Sequence, residues 1–80
     1  MDDQEFLYQG CRFLCGVRRT GAESFAAHAA YRDGLPGVAP MTLPADTEAY
    51  GTAAEALRHA QQNAMRWTQA HRVSVNPRAA

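Results

Sequence analysis

From Glu5 to Arg18 the side chains alternate, and that alternation limits what the chain can become. Phe6 and Tyr8 point one way. After Gly10, Cys11, Phe13, Cys15 and Val17 share a face, while Arg12, Leu14, Gly16 and Arg18 take the other. Period-two alternation is the mark of a half-buried strand. We therefore expect an extended segment over 5–18, with Gly10, where the phase breaks, as a bulge or bend. One side of it must be roofed by something apolar.

Arg19-Thr20-Gly21-Ala22-Glu23 is a turn by composition. The stretch that follows, 24–32, can be read in two ways. Its alanines favour a helix. As a strand, it places Phe25, Ala27, Ala29 and Tyr31 on one face and Ala26, His28, Ala30 and Arg32 on the other. The segment is short for a free-standing helix, turn residues bound both ends, and its two large aromatics stay in phase with the first strand. We expect a strand. Asp33-Gly34-Leu35-Pro36-Gly37 is a second turn. Residues 38–43 are expected as a third strand, held to an edge because Pro40 cannot donate a ladder hydrogen bond. Residues 45–51 read as a connection.

The last element is a helix over about 53–71. Thr52-Ala53-Ala54-Glu55 has the spacing of a capping box. Ala53, Leu57, Ala60, Ala64, Trp67 and His71 fall in one stripe at helical spacing, opposite Glu55, Arg58, His59, Gln62, Arg66 and Gln69. About 19 helical residues span about 28 Å, enough to cover one face of a sheet of eight-residue strands. Residues 73–80 are expected to fray. The fold class that follows is α+β: a two- to three-stranded antiparallel sheet packed on one C-terminal helix, in a single domain over 1–80.

Eighty residues can build only a small core. The hydrophobic fraction is 46%, but much of it is alanine, so Phe6, Leu7, Phe13, Tyr31, Met41, Leu43 and Trp67 are among the few large residues available to fill it. A core this thin favours a partner that buries what one copy cannot. The net charge is zero, which argues against a general nucleic-acid binder. All the basic residues are arginine, a bias of composition or a selection for forked contacts to oxyanions. The acidic opening Met1-Asp2-Asp3 lacks the basic and apolar runs of a signal peptide, and no stretch has the length of a membrane span. With two cysteines and no disulfide framework, the expectation is a cytoplasmic protein.

Cys11, Cys15 and His28 have part of the spacing of a C2H2 zinc finger. The fourth position holds Arg32, Asp33 or Gly34 rather than histidine, and His28 on a strand would face away from the cysteines. The same geometry separates Cys15 from His28 as nucleophile and base. We expect no metal, no cofactor and no catalytic residues. The surface that stands out is the uncovered sheet face, where Arg12, Arg18, Arg32 and His28 surround Leu14.

The Phe6-Leu7-Tyr8-Gln9-Gly10 start, the Ser24 to Asp33 strand, Pro40-Met41-Thr42-Leu43 and the Thr52 to Trp67 helix together resemble small uncharacterised bacterial proteins that begin with a hairpin and end in one amphipathic helix. That resemblance covers most of the chain and implies no activity or site residues. The layout is also similar to the three-stranded DNA-binding modules of phage-type integrases, which read DNA with the open sheet face. This chain departs from them in its zero net charge and its lack of lysine. The expected function is protein–protein contact, as a homodimer or an accessory subunit, through the edge strand or the face of Arg12, Leu14, Arg18, His28 and Arg32. The alternative is a nucleic-acid-binding module using the same arginines.

Overall fold

The computed structural model describes residues 3–44 and 48–75, with side chains as far as residue 71. It is an antiparallel sheet packed against a single C-terminal helix, as the alternation and the helical stripe imply. The elements are β1 (Gln4–Tyr8), β2 (Cys11–Gly21), β3 (Ser24–Asp33), β4 (Met41–Thr42), β5 (Ala49–Tyr50) and α1 (Ala53–Val75). The sheet order is β1-β2-β3-β4, and β5 also pairs with β3. No helix among the described residues is long and apolar enough to cross a membrane.

The first segment folds back on itself. Gln9 and Gly10 both have positive φ, 51° and 82°, the backbone of a two-residue type I′ turn. The expected bulge at Gly10 is thus a hairpin turn, and 5–18 is two strands. Tyr8 stands across from Cys11, Leu7 from Arg12, Phe6 from Phe13 and Glu5 from Leu14. Gly34, with φ +124°, packs on this turn so closely that a Cβ would stand 2.6 Å from Cys11 Cα.

Residues 24–32 are a strand, inside a ten-residue β3. Its pairing with β2 carries two irregularities. One, between Arg12 and Phe13, leaves Arg32 as an extra residue: Phe13 faces Tyr31, but Arg12 faces Asp33. The other, beside the Ala22–Glu23 turn, is tied by Arg19, whose guanidinium donates to the Gly21 and Ala22 carbonyls at 3.1 and 2.8 Å.

The expected strand over 38–43 is cut down to Met41 and Thr42. The Val38 amide bonds the Leu35 carbonyl in a turn instead, and Pro40 and Pro44 bracket the little that pairs. The expected connection over 45–51 supplies β5, which pairs Tyr50 with Phe25. Both short strands lie along the same edge of β3.

Thr52 Oγ1 accepts the Glu55 amide at 3.1 Å and caps α1. The helix does not stop near 71 but runs to Val75. Of the tail expected from 73 onward, 73–75 are helical and the rest lies outside the described residues. The buried row of α1 is Ala56, Ala60, Ala64 and Thr68, on the same face as the expected stripe, of which Ala60 and Ala64 are buried and Ala53, Leu57 and Trp67 pack against the core beside them. Alanines at i, i+4 and i+8 suit a helix lying close to a sheet whose own buried face carries Ala27 and Ala29. The buried Thr68 hydroxyl donates to the Ala64 carbonyl at 2.9 Å, so its proton has a partner.

The core lies between sheet and helix: Cys11, Phe13, Cys15 and Val17 from β2, Ala27, Ala29 and Tyr31 from β3, and the alanine row of α1. Trp67 meets Phe13 edge-on at 5.8 Å and Tyr31 at 4.8 Å. The Tyr31 hydroxyl reaches past the core to accept the Leu35 amide at 2.6 Å and pin the loop after β3. Two residues counted as core by size are outside it: Leu7 is 67% exposed and Met41 42%.

Candidate interaction face

The helix covers one face of the sheet and leaves the other open. The register sets the open face in rows. Leu7, Arg12 and Asp33 form one row; Glu5, Leu14, Ala30 and Thr42 form the next; and Gly16 and His28 lie beyond them. Arg12, Leu14, Arg18 and His28 all belong to this face, as their phase in β2 and β3 requires. Arg32 sits at the irregularity, exposed, and Asp33 takes the place across from Arg12 that simple alternation would give to Arg32.

Sequence reasoning named the bases of this face and missed its acids. Arg12 Nε lies 3.2 Å from Glu5 on β1 and 3.7 Å from Asp33 on β3. Each of these side chains is more than half exposed, so water screens the pairs and each contributes no more than about 1 kcal/mol. Their consequence is sign. The central arginine is flanked by carboxylates on both sides, and the face alternates in charge. The signal for Glu5 was present in the sequence: once Gln9-Gly10 is a tight turn, β1 must lie beside β2 and Glu5 must fall next to Leu14 and Arg12.

His28 is handled in the same way. Its Nε2 lies 3.5 Å from the Asp3 carboxylate, and the pair meets directly above Gly16. A Cβ at Gly16 would overlap the Asp3 carboxylate and stand 2.6 Å from the imidazole. This is a structural reason for glycine inside the central strand, a position where it otherwise weakens a sheet. Arg18 and Arg32 carry no ion pair among the described residues.

Cys15 lies on the other side of the sheet from His28. Burial, with the Asp3 charge second, pushes its thiol up to about 11, so the nucleophilic thiolate is suppressed. Both cysteines are free and buried. No group of three or more His, Cys, Asp or Glu residues that could hold a metal ion occurs among the described residues. His59 and His71 lie against aromatic rings: His59 stacks on Tyr50 at 4.2 Å, and His71 tilts against Trp67 at 3.9 Å.

The two edges of the sheet differ. Along β3 the outer edge is occupied piecemeal by β4 and β5. Along β1 no strand among the described residues pairs on the outer side. Tyr8 and Cys11 close the type I′ turn, so Tyr8, Phe6 and Gln4 exchange hydrogen bonds with β2. The amides and carbonyls of Glu5 and Leu7 therefore point outward. No proline, lysine or bulge guards this edge, and Leu7, the most exposed large apolar residue of the described chain, stands on it. No family model, no curated protein and no solved structure matches this chain, so the bare β1 edge and the mixed-charge face beside it are what a functional reading must rest on.

Proposed function

We propose that this chain is a non-catalytic protein-interaction domain whose partner is a second copy of itself, joined antiparallel along β1. The observation that carries the reading is the outer edge of β1: a five-residue strand with outward backbone groups, no proline, lysine or bulge to block pairing, and Leu7 67% exposed beside it. Unprotected edges are templates for strand addition. A two-fold axis supplies an identical, self-complementary edge.

The sequence of β1 restricts the register. An axis through Phe6, the midpoint of Gln4–Tyr8, overlaps the whole strand. Phe6 then faces the partner's Phe6 on the helix side, extending the Phe6–Tyr8 stack. Glu5 and Leu7 exchange backbone bonds with the partner's Leu7 and Glu5. An axis through Glu5 would oppose two carboxylates directly, which is unfavourable. In the Phe6 register the open faces of two copies join into one surface, with the Glu5 and Arg12 pairs on either side of the axis. Arg12 flanked by two carboxylates weighs against the nucleic-acid alternative, which needs an uninterrupted positive surface.

Light scattering or sedimentation from micromolar to millimolar concentration tests this. The expected mass is that of two chains. Leu7→Lys and, independently, Leu7→Pro, which removes an outward N–H and leaves the β1–β2 bonds in place, should each give one chain with an unchanged circular dichroism spectrum. A wild-type chain that stays monomeric at millimolar concentration overturns the reading.

A further inference from the structure

Beside the end of β1, the outer surface of α1 carries a second arrangement. Charge is segregated along the chain. All eight acidic residues lie at or before Glu55, while residues 56–80 hold Arg58, Arg66, Arg72 and Arg78 with His59 and His71. Most of α1 is therefore basic with no carboxylate of its own. Where it passes the end of β1, the surface dips into an open groove of about 330 Å³ lined by Tyr8, Gln62, Met65, Arg66 and Gln69.

The polar groups of this lining are matched to an anion. Arg66 makes no ion pair among the described residues, and its side chain is exposed. Gln69 Nε2 donates to the Tyr8 hydroxyl at 2.8 Å. A hydroxyl that accepts this bond keeps its own proton to donate. Gln62, one helical turn before Arg66, adds an amide donor on the same side. The lining contains no carboxylate, so nothing in it competes for the guanidinium. Met65 and the Tyr8 ring supply an apolar wall.

We propose that this groove binds a small oxyanion, a carboxylate or a phosphate, carried on an apolar body. Arg66 takes two oxygens in its fork. The Tyr8 hydroxyl and the Gln62 amide bond the remaining lone pairs, and the apolar body lies along Met65. The neutral overall charge of the chain keeps the attraction local to Arg66.

The test is nuclear magnetic resonance on the full chain, following the side-chain N–H signals of Arg66, Gln62 and Gln69. The probes are hexanoate, hexyl phosphate, inorganic phosphate and, as the uncharged control, hexanol. Hexanoate or hexyl phosphate should move these signals to saturation, and the tighter of the two identifies the anion. Inorganic phosphate should bind more weakly than hexyl phosphate, and hexanol should leave the signals in place. Arg66→Gln, an exposed substitution that preserves the helix, should lower affinity about tenfold or more, the worth of a charge-assisted bond. Tyr8→Phe should lower it about threefold. Shifts that rise without saturating, that are matched by hexanol, or that survive Arg66→Gln unchanged overturn the proposal.

Discussion

Cys15 shows how much one position in an alternating strand decides. Its phase in β2 turns the thiol under α1, where it is fully buried, and burial first and Asp3 second hold its pKa at about 11 against an ordinary 9.0. The native state thus keeps its proton more tightly than the unfolded chain does. Between those two values the unfolded chain has lost the proton and the folded chain has not, so unfolding becomes more favourable as pH rises. The Cys15 contribution is fully present below pH 9 and is lost progressively towards pH 11. Denaturant melts of wild type and Cys15→Ala across this range should converge as the pH rises. A wild-type loss no steeper than that of the alanine variant would remove this account. The same phase made Arg12, Leu14 and Arg18 legible from the sequence as one face. Size alone put Leu7 in the core, and the structure leaves it exposed on the side opposite Phe6 and Tyr8. What the phase did not show is the hairpin turn, which rests on Gln9, a non-glycine residue at φ 51°. Side chains seldom adopt that conformation, so the turn that sends β1 back along β2 did not announce itself in the residue type.

Elements were legible in proportion to their length. β2 and β3 repeat their pattern often enough to be read, and the strand over 24–32 was recoverable despite its alanines because pairing on both sides outweighs helix propensity. β4 and β5, two residues each, are too short to show any period; they exist only because β3 offers them an edge. The face of α1 was legible too: the expected stripe supplies the buried Ala60 and Ala64 and the flanking Ala53, Leu57 and Trp67, and it missed only Ala56 and Thr68 on the same face. Ala56, Ala60 and Ala64 are at most 1% exposed, so a larger side chain there must displace a neighbour. Ala60→Leu should cost about 1–3 kcal/mol by overpacking, although leucine is a good helix former. In a domain of this size that lowers the melting temperature by several degrees per kcal/mol. Calorimetry on Ala60→Leu beside the exposed Ala54→Leu separates the two effects, since only the first should destabilise. Equal melting temperatures would mean that the alanine row is not a close contact.

At the scale of the molecule, one helix and one sheet leave a small core in which alanine is the commonest residue, with Phe13, Tyr31, Leu43 and Tyr50 as its large pieces and Trp67 packed against them. A chain of this length gains little from burial beyond what conformational entropy takes away, and the exposed ion pairs around Arg12 add little to it. The proposed pairing along β1 would change that balance, because a second copy that binds only the folded chain stabilises it by mass action. Each tenfold rise in protein concentration then adds about 1.4 kcal/mol per dimer, shared between two chains, and the midpoint of thermal unfolding climbs by a few degrees. Leu7→Lys should flatten that dependence, leaving a single lower midpoint at every concentration, while an exposed control such as Arg58→Gln on α1 should leave the slope as it is. Thermal melts over a hundredfold range of concentration read both. A wild-type midpoint that does not move with concentration would mean that the fold stands on its small core alone and that the open edge of β1 contributes nothing to its stability.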